Sequence, residues 1–256
     1  MDFTPQSQIE LFHLLFLAHL RNRVDPSLYV LKGGCNLRFF FKSVRYSEDI
    51  DLDVHTVVKD TLKSQVSKLL ASDSFARVLR SRQLEIIDVT APKQTDTTQR
   101  WKLRISGAGS ALPIHTKIEF SRRSGIEKAV YEQVDPHLTQ NYELYPVLCN
   151  HYGRESVILQ KVAALIHRAE TQARDVFDLD HLLRAPVSIA APKTLAAELD
   201  HGVENALSLS YSTYKSQVVA FISPEFQEHL GTESAWNQIQ ERVVNALSAF
   251  KMRRAQ

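Results

Sequence analysis

The feature that most constrains this chain is a change of period near residue 150. Before it, short stretches alternate apolar and polar side chains, the two-residue mark of strands, between stretches of helical spacing. After it, only helical spacing persists. The front part therefore reads as a mixed sheet with helices on one face, and the back part as helices alone. The fold class expected is α+β, with an α/β domain over 1–150 and an all-α domain over 151–256.

The elements follow from the spacing. Residues 6–22 read as a helix, with Ile9, Phe12, Leu15, Phe16 and Leu20 on its apolar stripe, broken by Asp25-Pro26. Leu28–Leu31 reads as a short strand ending at Gly33-Gly34, Asn36–Lys42 as a short helix, and Ile50–Val54 as a strand. Residues 57–80 read as one helix. Strands follow at 84–89, 101–106 and 114–120, the last two joined as a hairpin through Gly107-Ala108-Gly109-Ser110, with a further strand at 142–148. Helices are expected at 154–171, 174–184, 192–209, 211–222 and 234–251, and the basic end Lys251–Arg254 as a solvated tail.

Composition narrows the class. Apolar residues make up 44% and charged residues 23%, a globular balance. The net charge of +2 does not announce a nucleic-acid-binding body, although the first 150 residues carry +3 and the rest −1. Cys35 and Cys149 have no CxxC spacing, which speaks against a disulfide framework or a thiolate zinc site. No apolar run of about 18 residues and no leader pattern is visible. The expectation is a protein of the reducing cytoplasm.

Chemistry concentrates between residues 31 and 52. A strand that turns into a helix through Gly33-Gly34 lets backbone N–H groups approach an anion. Asp49 and Asp51 are two apart on a strand and so share a face, with Cα atoms about 6.5–7 Å apart. Asp is a poor strand former, and two like charges repel unless a cation sits between them. A divalent ion would supply it, and Mg²⁺ favours sites that also carry substrate phosphates. The bland alternative is a solvated acidic face that includes Asp53. Glycine turn and acid pair together favour a metal–phosphate site of the phosphoryl-transfer kind. There is no Walker A loop.

Gly33-Gly34 followed by Ser47-x-Asp49-x-Asp51 resembles the nucleotidyltransferase signature of the DNA polymerase beta-like superfamily. The fuller pattern, Lys-Gly-Gly-x-x-Leu-Arg through Arg-x-Ser-x-Asp-x-Asp-Leu, is similar to the AbiEii/AbiGii toxin family, the toxin halves of bacterial type IV toxin–antitoxin and abortive-infection systems. A second block supports the likeness: Lys161, Arg168, then Arg174-Asp175-x-x-Asp178-Leu179. The resemblance runs from about 30 to 184, and Cys35 departs from it where a Thr or another small residue is expected.

The resemblance implies that Asp49, Asp51, Lys161 and Asp178 are catalytic. It also implies that Gly33, Gly34, Ser47, Lys161, Arg168 and Asp175 bind the nucleotide, and that at least one of Asp175 and Asp178 matters to activity. Asp49 and Asp51 would hold Mg²⁺ (or Mn²⁺), completed by Glu119 or, less favourably placed, Asp88. For Ser47, merely starting the strand is the other reading. Arg154, Lys161 and Arg168 are seven apart and lie nearly in a row on one helix face. They could meet phosphates, or Lys161 could be bridged internally to Asp175 or Asp178. His13, His19, His115 and His167 read as packing or surface histidines, and Cys35 as a small buried residue rather than an activated thiol.

The function implied is transfer of a nucleoside monophosphate from an NTP to an RNA acceptor, the tRNA 3′ end suggested, with growth inhibition relieved by a separately encoded antitoxin. Arg100, Lys102, Arg104, Arg122 and Arg123 are candidates for RNA backbone contact, or else protect a sheet edge. The alternatives are transfer to a protein or antibiotic hydroxyl, or a silent nucleotide- or RNA-binding module.

Overall fold

In the computed structural model, residues 4–110, 112–123, 129–186, 195 and 197–252 are described. They form two compact units: Met1–Lys42 with Tyr46–Tyr152, and Ser43–Arg45 with Gly153–Gln256. The short stretch 43–45 thus leaves the first unit's run of chain and belongs to the second. The fold is mixed α+β, as the two periods imply.

Helix α1 (Pro5–Leu20) opens with Pro5 behind Thr4, whose Oγ accepts the Ser7 N–H at 3.2 Å. Residues 8–17 of α1 are all buried, so it is a central helix rather than a surface one. It packs with α3 (Lys59–Leu70) and α4 (Asp73–Ser81) against the apolar parity of the sheet: Ile50, Leu52, Trp101, Leu103, Ile118 and Phe120 share one core with Phe12, Phe16, Leu62 and Phe75. The sequence reads 57–80 as one helix. The chain instead breaks at Ser72, which caps α4 by accepting the Phe75 N–H at 3.3 Å.

The sheet has seven strands: β1 (Tyr29–Lys32), β2 (Asp49–Val54), β3 (Leu84–Gln94), β4 (Thr98–Gly107), β5 (Ile114–Arg122), β6 (Ala129–Gln133) and β7 (Leu148–Tyr152). Their spatial order is β3-β4-β5-β2-β1-β7-β6. The β2–β5 and β1–β7 pairs are parallel, the others antiparallel. This sets Lys32 opposite Asp51, Asp51 opposite Glu119, and Glu119 opposite Arg100, one row on the polar face.

Two short helices complete this unit, α2 (Gly33–Phe40) and α5 (Pro136–Asn141). The strand expected at 142–148 is a correction: the chain turns there, with Glu143 at φ 52°, and the strand is β7. Polar Asn150 and His151 hid it, because His151 is buried by bonding the Asn36 amide at 2.9 Å rather than by being apolar.

The second unit contains α6 (Arg154–His167), α7 (Ala173–Leu183), α8 (Leu199–Leu207), α9 (Tyr211–Gln217), α10 (Pro224–Leu230) and α11 (Glu233–Met252). Its core gathers Val157, Ile158, Val162, Leu165, Leu179, Tyr214 and Trp236. Tyr214 stacks on Trp236 at 4.6 Å and donates its hydroxyl to the Leu230 carbonyl at 2.8 Å. The start of the helix expected at 192 and the end of the basic tail lie outside the described residues.

Candidate active site

Strand β2 presents Asp49, Asp51 and Asp53 on the face away from the core, as alternation requires. The three are not equivalent. Asp53 is 1% exposed, ion-paired to Lys32, and accepts the Tyr152 hydroxyl at 2.8 Å. Asp49 is bound by the Lys117 ammonium at 2.8 Å. Asp51 alone has no hydrogen-bond or ion-pair partner among the described residues. It is half-buried, and burial raises its pKa against the pull of Lys117, with Asp49 pushing the same way as burial. A freely solvated acidic face is therefore not what forms.

Gly33 faces this carboxylate. Its φ of +69° is a left-handed conformation, and a Cβ there would lie 3.0 Å from Asp51 Oδ2. Gly33→Ala is expected to lower stability by about 1–2 kcal/mol from the backbone conformation alone. Urea unfolding measures it, and an unchanged midpoint would show that the turn tolerates a side chain. Ser47 Oγ donates to the Asp49 carbonyl at 2.8 Å, fixing the entry to the strand. Glu119, opposite Asp51, is taken by Arg100 Nε at 2.6 Å. Asp88 lies on β3, beyond β4 and β5 from β2, and pairs loosely with Arg104 at 3.6 Å.

In the helical unit, Lys161 sits between two aspartates of α7, 3.0 Å from Asp175 Oδ1 and 2.5 Å from Asp178 Oδ2. Their i, i+3 spacing places both on one face. Arg45 closes on Asp178 from the other side, with Nη2 2.9 Å from Oδ2 and Nε 3.2 Å from Oδ1. Burial would raise the Asp178 pKa, but Arg45 and Lys161 overcome it and hold the carboxyl at about 2. Arg168 Nε lies 3.3 Å from Asp175 Oδ2, near enough to attract but not aligned as a hydrogen bond, so that buried oxygen keeps an open acceptor position. Arg154 turns to the Leu182 carbonyl at 2.9 Å.

The family profile described as nucleotidyl transferase AbiEii toxin, type IV TA system, matches residues 15–254. The chain belongs to the AbiEii nucleotidyl transferase toxin family. It is a nucleotidyltransferase of the toxin–antitoxin class. Among the solved structures it resembles is JHP933 from Helicobacter pylori, with TM-score 0.59 and 18% identity, covering 96% of this chain and 92% of that one. Another is an H. pylori protein provisionally assigned as a nucleotidyltransferase, also at TM-score 0.59 and 18% identity, covering 98% of this chain and 95% of that one. At this identity they speak to the fold. No curated protein matches the chain.

This AbiEii chain carries no group of three His, Cys, Asp or Glu arranged to hold a metal among the described residues. The carboxylates that could contribute to one are Asp51 and its neighbour Asp49, which Lys117 pairs at 2.8 Å. That suits Mg²⁺, which takes one or two carboxylates and fills its remaining positions with water and substrate phosphates. Residues the sequence did not single out are Lys32, Lys117 and Arg45. Arg45 stood within the Arg-x-Ser motif, yet its partner is 133 positions away.

The cations proposed for RNA also divide. Arg100 is held by Glu119, and Arg122 turns to the core side, donating to Gln99 Oε1 at 2.7 Å. Lys102 and Arg104 remain exposed on the polar face. Arg123 is exposed beyond β5, 3.8 Å from Asp53. Cys35 is buried, and burial pushes its thiol up rather than activating it.

Proposed function

We propose that this toxin transfers a nucleoside monophosphate from an NTP to RNA, at the tRNA 3′ end, in a reaction dependent on Mg²⁺ (or Mn²⁺), and that this inhibits growth. The observation that carries the reading is Asp51: a half-buried carboxylate without a partner among the described residues, beside Asp49 and facing the Gly33 turn. Burying a carboxylate unpaired is costly, and such groups belong to sites completed by a ligand.

The acceptor hydroxyl oxygen bonds to the α-phosphorus and loses its proton to solvent, the bond from that phosphorus to the α–β bridging oxygen breaks, and pyrophosphate leaves with the electron pair. Asp49 and Asp51 would hold the divalent ion, which when bound neutralises phosphate charge. Glu119 would join them only on release from Arg100. Gly33 and Gly34 present backbone N–H groups to the phosphates, with Ser47 ordering the approach to Asp49. In the helical unit, Asp175 and Asp178 hold the Lys161 ammonium, which the family pattern makes a candidate nucleotide contact. Arg168 adds to it, and the open acceptor of Asp175 supports a nucleotide contact. Lys102 and Arg104 would meet the RNA backbone as point charges, positioning rather than specifying it.

No helix among the described residues is long and apolar enough to cross a membrane. We place the enzyme in the cytoplasm, where NTPs and tRNA are, with a separately encoded antitoxin as its partner. The test incubates the protein with each α-labelled NTP, Mg²⁺, total RNA, protein extract and an aminoglycoside. The expected result is label in RNA with one NTP preferred. Label confined to protein or to the antibiotic would overturn the acceptor.

A further inference from the structure

Three buried side chains lie directly beneath the acid pair and are used by nothing above: His13 of α1, Cys35 of α2 and Thr116 of β5. Thr116 Oγ lies 2.7 Å from the Glu48 carbonyl and 2.7 Å from His13 Nε2. His13 Nδ1 lies 3.4 Å from Cys35 Sγ, which is also 3.3 Å from the Asp49 carbonyl. The directions can be assigned. A carbonyl only accepts, so the Thr116 hydroxyl donates to Glu48, and its lone pair is left to accept from His13 Nε2–H. Burial keeps the imidazole neutral, with a pKa of about 3, so it carries one N–H, and Nδ1 accepts the single Cys35 S–H, which leaves none for the Asp49 carbonyl.

The two carbonyls reached are those on either side of the Asp49 α-carbon. The Glu48 carbonyl fixes the peptide plane that sets φ of Asp49. The Asp49 carbonyl accepts the Ser47 hydroxyl at 2.8 Å and packs on Cys35 Sγ at 3.3 Å, which fixes the plane that sets ψ. With both torsions held, the direction of the Asp49 side chain is determined from beneath. We propose that His13, Thr116 and Cys35 are positioning residues for Asp49, a neutral relay that orients this member of the acid pair through the backbone. This rests on the reading of those two aspartates given above.

The test uses the full chain and Mn²⁺ alone as probe, followed by electron paramagnetic resonance, with folding checked by circular dichroism. Outer partners of metal ligands typically change affinity by about 10–100-fold when removed. Thr116→Val should weaken Mn²⁺ binding about tenfold or more, while Thr116→Ser, which keeps the hydroxyl, stays within about twofold of the parent. A folded Thr116→Val that binds Mn²⁺ like the parent overturns the relay, as does a Thr116→Ser as weak as Thr116→Val. Asp51→Asn separates the two claims. If it binds Mn²⁺ as tightly as the parent, the acid-pair reading itself fails, and the relay with it. Should Thr116→Val not fold, nitrogen NMR of the parent decides: an Nε2–H tautomer of His13 is expected, and an Nδ1–H tautomer overturns the assignment.

Discussion

Asp51→Asn is expected to abolish nucleotide transfer while making the protein more resistant to heat. Metal-assisted stabilisation of phosphoryl transfer is worth several kcal/mol, and about 4 kcal/mol corresponds to roughly a thousandfold in rate. The gain in stability follows from the electrostatics. Burial raises the Asp51 pKa, so folding disfavours its charged form. The stability tied to this group is fully present below its unfolded pKa and is lost as pH rises through the higher folded value. At neutral pH the native carboxylate is thus a burden that an amide relieves, the usual conflict between activity and stability at a working site. Melts of parent and variant at pH 3 and pH 7.5 should nearly coincide at the lower pH and separate at the higher, the variant melting later. A variant that retains transfer, or one that melts earlier at pH 7.5, would sink the argument.

The opposite behaviour is expected at Asp178. Its side chain is 0% exposed, and the cations it binds, Arg45 and Lys161, are 6% and 12% exposed. Asp178→Ala removes the partner and leaves buried positive charge, a change that typically costs about 3–5 kcal/mol. Total stabilities are about 5–15 kcal/mol, so much of the helical unit's margin would go. Urea unfolding measures it, and a loss under about 1 kcal/mol would contradict the buried network. The pH dependence has the opposite sense to that of Asp51. The carboxyl is held at about 2, so its contribution is present above the ordinary carboxylate range and disappears as pH falls through that value. Inactivity of an Asp178 variant therefore speaks to folding before it speaks to chemistry. Pairing Asp178→Asn with Arg45→Met separates them, since it restores the charge balance around Lys161 and Asp175.

The sequence made some of this visible and hid the rest for definable reasons. Strand β2 was legible because Ile50, Leu52 and Val54 alternate with acids, and alternation is a local property. The turn at Gly33 was legible because glycine has few uses at the end of a strand. That Asp53 is paired while Asp51 has no partner among the described residues was not, since the difference lies in Lys32 and Tyr152, which reach Asp53 from other strands. Lys161 with Asp175 and Asp178 could be guessed from helical spacing, whereas Arg45 could not. His13 looked like packing because its partners, Cys35 and Thr116, lie 22 and 103 positions away. The break at Ser72 went unseen because the apolar stripe continues through it into Phe75 and Leu79. Strand β6 offered an exposed edge with little contrast between its faces.

The residues 43–45 carry a further consequence. Arg45 is inherited with the first half of the chain yet completes the charge balance of the second. Recombination that swapped everything after residue 152 as a cassette would deliver Asp178 with Lys161 but without Arg45. Exchange of such halves between toxins should therefore succeed only where the donor's junction brings along, or the recipient already encodes, an arginine four residues ahead of the position of Asp49.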